Sequence, residues 1–155
     1  MMTLNGSATN PVAIVSPSNT LLPMINRLVI SAESIIASSQ SSDSQRFDLG
    51  SEFAPVVEEA KRLYQMEKKI SEVPRVSSYL AVLRNTSWVG RIHDAMVVPL
   101  ESEQKTSITV RNDSGSKTEV GWLWTNILFT DHLTYIDIAE GERVGAVVVH
   151  FPRQQ

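Results

Sequence analysis

A chain of 155 residues, 42% of them hydrophobic, can bury a core of its own and fits one compact domain with an arm. The absence of cysteine excludes a disulfide framework, a thiol nucleophile, thiolate zinc sites and iron–sulfur ligation. A net charge of -3 lacks the electrostatic footprint of a nucleic-acid binder, and only three histidines are available for proton chemistry near pH 7.

The N-terminus has no basic region, and its apolar run, Val12 to Val15, is too short for a secretion signal. No window approaches the roughly 18 apolar residues of a membrane span. A soluble, non-secreted protein is expected, and the sequons at Asn5, Asn85 and Asn112 then carry no meaning. Residues 1–22, with Pro11 and Pro17 among small polar residues, read as an extended arm. From Pro23 the pattern changes. Met24, Ile25, Leu28, Val29, Ala32, Ile35 and Ile36 recur at helical spacing and predict an amphipathic helix. Five serines within 38–44 compete for backbone hydrogen bonds and mark a flexible link.

A second helix is expected after Ser51, a candidate cap, with Val56, Val57, Ala60, Leu63, Tyr64 and Ile70 on one face. Glu58 and Arg62 are spaced for an i,i+4 pair, and Pro74 stops the pattern. Val76, Tyr79, Leu80 and Leu83 allow one more short helix, so 23–84 reads as a helical region. Beyond Asn85 the period becomes two. Asp94 to Leu100 is one strand. Thr106, Ile108 and Val110, a turn at 112–116, and Thr118, Val120, Trp122 and Trp124 read as a hairpin. A second hairpin is expected from Leu133–Ala139, a turn at Gly141 with positive φ, and Arg143–Phe151. The fold class is therefore α+β: an N-terminal extended arm and amphipathic helices, followed over 85–155 by a small antiparallel β-sheet or sandwich.

Little in the sequence carries chemistry. His93-Asp94 and Asp131-His132 set an imidazole beside a carboxylate, but neighbours on a strand point to opposite faces, so neither pair makes a dyad by itself. His150 shares the face of Val144, Ala146 and Val148. No metal-ligand spacing links the three histidines, and a metal-binding sheet enzyme would need paired histidines with a nearby Glu on one strand. No nucleophile elbow or phosphate-binding glycine loop is present. No catalytic, cofactor or metal residues are therefore assigned, and the chain reads as a non-enzyme without a cofactor. Trp122 and Trp124 share a strand face and read as core packed beside Trp88, with a ligand platform as the alternative. The lysine and arginine doublets at 61–62 and 68–69 are interleaved with glutamates and read as a solvated face.

What remains is a chemistry-poor β-module with a near-neutral arm, carrying two basic residues in its first 54. Such an arm fits best by ordering on a neighbouring subunit through Val12, Ile14, Met24, Ile25, Leu28 and Ile35. The expectation is a structural protein of a symmetric homo-oligomer, a virion component such as a capsid decoration or head–tail protein. Its partners would be itself and another structural protein, with no direct nucleic acid and no membrane. The alternative is a module that recognises a peptide or carbohydrate at the Trp122/Trp124 face. A third is a small hydrolase or isomerase with a site assembled from His93, Asp131 and His132.

Overall fold

The computed structural model describes residues 13–18, 21, 28, 33–34, 36–39, 43–72, 75–100 and 106–152. Strands β1 (Ala13–Val15) and β2 (Gln45–Phe47) precede a 3-10 turn (Ser51–Phe53) and helix α1 (Ala54–Lys68). Then come β3 (Ser77–Leu83), β4 (Thr86–Val89), β5 (Asp94–Leu100), β6 (Ser107–Asn112) and β7 (Lys117–Gly121). Strands β8 (Ile127–Thr130), β9 (Thr134–Asp137) and β10 (Val144–Phe151) complete the order. They form a six-stranded sheet, β1-β8-β5-β10-β3-β2, and a four-stranded sheet, β4-β9-β6-β7. All pairings are antiparallel.

The continuous apolar runs of the central strands have a layered explanation. A strand buried on one face alternates apolar and polar residues; one buried on both reads as apolar throughout. In β10, Val144, Ala146 and Val148 face the core between the sheets, whereas Val147, Val149 and Phe151 face a second core under α1. Strand β5 divides in the same way, with Ala95 and Val97 on the inter-sheet side and Met96, Val98 and Leu100 on the helix side. The helix core is completed by Phe53, Val56, Ala60, Leu63 and Tyr64, and by Leu21 and Leu28 from the N-terminal segment. The molecule is a helix-backed β-sandwich.

Several expectations are corrected by this architecture. The stretch 77–83, expected as a short helix, is β3, because its alternate residues Ala81 and Leu83 supply the inter-sheet core while Leu80 supplies the other. The second hairpin does not form: β9 pairs with β4 and β6, while β10 pairs with β3 and β5 in the opposite sheet. The chain thus changes layers through the turn at Gly141, whose φ of 82° matches the expected left-handed backbone. The hairpin of β6 and β7 forms as expected.

Helix α1 stops at Lys69, which takes left-handed backbone (φ 55°, ψ 47°) and donates its N–H to Gln65 O. Pro74, expected to stop the helix, lies outside the described residues. No side-chain hydrogen bond caps the helix start. The expected Glu58–Arg62 pair is replaced by Glu58–Lys61 (3.4 Å) and Glu59–Arg62 (2.7 Å). Of the expected first helix, 28, 33, 34 and 36–38 have helical backbone; Met24, Ile25 and Ile35 lie outside the described residues, as does Val12.

The described part of the arm packs on its own chain. Ala13–Val15 adds to the edge of the six-stranded sheet against β8, with Ile14 about half exposed, and Leu28 is fully buried. Ser18 donates its backbone N–H to Glu59 on α1. The serine-rich link is also tied down where it is described: Ser44 Oγ accepts from Arg84 N at 2.9 Å and bonds Ser87 Oγ at 2.7 Å. Among the described residues, no helix is long and apolar enough to cross a membrane.

Candidate functional site

The alternation of β10 places His150 on the inter-sheet face, one step beyond Val148. It lies opposite Ser77 at the start of β3 and Ala95 near the start of β5. At this end of the sandwich the apolar inter-sheet core gives way to a cleft of about 500 Å³. Its walls come from β2 (Arg46), the approach to β3 (Arg75), the end of β4 (Trp88) and the following loop (Arg91, His93), with His150 from β10. That loop is held by Gly90, whose φ of +76° suits glycine. A Cβ there would meet His132 O at 2.5 Å and Thr130 Oγ1 at 2.8 Å. The close approach sets where Arg91, Ile92 and His93 enter the cleft.

The polar groups of the cleft converge on His150. Its ring lies 5.9 Å from His93, edge to face, and its Nε2 is hydrogen-bonded to Tyr79 Oη at 3.1 Å. The Arg46 guanidinium sits over the Tyr79 ring at 4.4 Å, and Arg91 over Trp88 at 5.1 Å. Burial pushes the His150 imidazole below its ordinary range, and the charge of Arg46 and the neighbouring His93 add to this. Burial raises the Tyr79 phenol, against the opposing effect of Arg46. His150 is therefore neutral at pH 7, and its buried Nδ1 has no hydrogen-bond partner. The cleft brings together three arginines and two histidines, and no carboxylate is among its described lining residues.

Two facing imidazoles could begin a metal centre, but no third donor stands beside them among the described residues. Asp94, next to His93, points to the helix side, where it accepts a hydrogen bond from Tyr64 Oη (2.9 Å) and pairs with Lys68 (3.4 Å). Among the described residues no cluster of three His, Asp or Glu side chains could hold a metal. The surrounding guanidinium groups also disfavour a cation.

The sequence-selected residues are distributed differently from expectation. Asp131 and His132 do pair, Oδ1 to Nδ1 at 2.9 Å, because they sit in an exposed bend rather than on a strand. Trp122 is buried between the sheets and donates Nε1–H to Gly145 O at 2.8 Å. Strand β7 ends at Gly121, so Trp124 lies beyond it and the two indoles share no strand face. The proposed peptide or carbohydrate platform is thereby lost. Trp88, expected beside them in the core, is instead 57% exposed and lines the cleft. Arg46, Arg75, Tyr79, Trp88 and Arg91 were not legible as a site, being scattered over separate elements with no motif spacing.

Neither a protein-family model nor a curated protein matches the chain. Among solved structures it is similar to a Pseudomonas putida prolyl-4-hydroxylase, at a TM-score of 0.63 and 9% identity, over 96% of this chain and 95% of that one. A cupin domain from Bordetella pertussis has a TM-score of 0.39 at 10% identity, covering 54% and 88% of the two chains. A cupin 2 domain-containing protein from Halorhodospira halophila has 0.40 at 12% identity, covering 76% and 72%. Only the first likeness is close enough to describe the fold. It overturns the expectation of a virion building block: the likeness to the prolyl-4-hydroxylase runs over nearly the whole length of both chains, and Leu21 and Val15 of the arm pack into this chain's own helix core. The expectation of a non-enzyme, drawn from the lack of motifs, loses its ground with it.

Proposed function

We propose that the chain binds a small organic anion in the cleft at the end of the sandwich. The observation that carries this reading is the lining: three guanidinium groups and two imidazoles, without a carboxylate among the described residues, in a chain whose net charge is -3. Arginine suits carboxylate or phosphate because its planar donors match those oxygens in pairs. A partly desolvated cleft strengthens each such contact relative to open water. The likeness to the fold of a prolyl-4-hydroxylase supports small-molecule chemistry in this chain, and the neutral His150 bonded to Tyr79 supports a role in moving a proton. Carbon hydroxylation at an iron centre would need a donor set such as two histidines and a carboxylate. The described residues do not fit one, since Asp94 is turned to the helix side, and no such step is assigned.

Calorimetric titration with benzoate and inorganic phosphate tests the reading, with a choline salt as cationic control. Saturable binding of the anions alone is expected. Arg46→Ala and Arg75→Ala should each weaken it about tenfold or more, the usual effect of removing a charged hydrogen-bond donor. Absence of binding, or equal affinity in the two variants and the parent protein, refutes it.

A further inference from the structure

We propose that the ligand is an aromatic anion that spans two adjoining cavities, its charged head in the arginine-lined cleft and its ring body in a second cavity beside it. This deepens the anion-binding reading and rests on it. The second cavity, of about 330 Å³, shares Arg46, Trp88 and Val89 with the first. Its origin is topological. Strands β2 and β4 are the outermost strands of the two sheets, so the sandwich is unclosed along that side. Residues of both strands line the gap.

The first cavity gathers Arg75, Arg91, His93 and His150; the second has an inner apolar wall of Ala81, Leu83, Val89 and Val148 from the inter-sheet side, beneath a polar rim that carries both Asp43 and Arg84. Two aromatic rings serve the junction: Trp88 lines both cavities, and Tyr79 lines the second while bonding His150 of the first. Arg46, stacked on Tyr79, belongs to both cavities and can meet the anionic head while the ring body passes the indole. An inorganic anion has no apolar body to lay on the wall of the second cavity and gains nothing from it. Volumes of this order accommodate an organic ligand of several rings.

The test is calorimetric titration of the full chain with inorganic phosphate, hexanoate, benzoate and 2-naphthoate, repeated on Thr86→Trp and Thr86→Phe. Thr86 is an exposed residue that lines the second cavity and not the first; either bulky side chain narrows the mouth of that cavity and gives up the hydrogen bond to Asp137 Oδ1 (2.7 Å), so retained phosphate affinity shows that the first cavity is intact. In the parent protein, 2-naphthoate is expected to bind about tenfold or more tightly than phosphate, from the added apolar burial, and more tightly than flexible hexanoate. Both variants should lose that advantage and retain phosphate affinity. Naphthoate binding no tighter than phosphate, or an advantage that survives both substitutions, overturns the two-cavity proposal and leaves anion binding standing. Failure of every anion to bind overturns the anion reading itself, and this proposal with it.

Discussion

Replacing Glu59 by Gln should lower stability at neutral pH and flatten its dependence on acid. Glu59 is buried on α1, where it takes a hydrogen bond from Arg62 at 2.7 Å and the backbone N–H of Ser18 from the arm. The Arg62 hydrogen bond, opposed by burial and reinforced by Ser18, holds the carboxyl down from 4.5 to about 2. Taken alone, that displacement corresponds to about 3.4 kcal/mol at ~1.36 kcal/mol per pH unit. Arg62 is 46% exposed, and water screens such a pair, so about 1–2 kcal/mol is the expected contribution. Because the folded value lies below the unfolded one, the contribution is complete above pH 4.5 and disappears as pH falls through about 2. Urea denaturation of the parent protein and Glu59→Gln across pH 2–7 reads this out: curves separated at pH 7 should converge near pH 2. Parallel curves, with the same separation at both ends, would refute the carboxylate as the tie between arm and helix.

Two further substitutions probe the elements that shape the site. Gly90→Ala places a Cβ against His132 O and forces a side chain onto left-handed backbone, which should cost about 2–4 kcal/mol. It should also weaken anion binding by moving Arg91 and His93; thermal denaturation and titration check both, and an unaltered protein on either count would contradict the role given to this loop. Trp122→Phe removes the hydrogen bond to Gly145 O and leaves a small void, for about 2–3 kcal/mol by urea denaturation. A loss below about 0.5 kcal/mol would place the indole outside the core. The variant should also lose the quencher-protected part of the tryptophan emission, while the exposed Trp88 remains quenchable.

The elements that could be read from sequence are those with a single buried face or a distinctive turn. Strands β6 and β7 alternate cleanly about the 112–116 turn, and α1 carries Val56, Ala60, Leu63 and Tyr64 on one side. Strand β3 was misread because apolar residues at 76, 79, 80 and 83 also satisfy helical spacing. Burial of both faces removes the alternation that would have distinguished a strand. The short strands β2, β4 and β8 offer three or four residues each, too few for either period to emerge. Leu133–Ala139 and Arg143–Phe151 have hairpin spacing, yet nothing local in the sequence says which sheet each joins. The cleft was illegible for a related reason: Arg46, Tyr79, Trp88 and His150 meet only through strand pairings far apart in the chain.

Whole-chain charge was the least informative property for function, and the end of the sandwich explains why. Alternation sends His150 to the cleft and Phe151 to the opposite core, where it stacks on Tyr64 at 4.0 Å. Across the strand pair, Phe151 lies opposite Asp94, and Tyr64 donates to the Asp94 carboxylate. His93, one residue earlier, returns to the cleft side. Two adjacent pairs, His93-Asp94 and His150-Phe151, thus divide their members between a cationic cleft and an anchored helix face. Asp94 is the acidic residue nearest in sequence to the cleft histidines, and its use on the other face keeps its charge out of the lining. That separation lets a chain with a net charge of -3 present arginines and histidines to one small volume. The same anchoring fixes the strand ends from which the two imidazoles project, so the site is held by packing it does not itself contain.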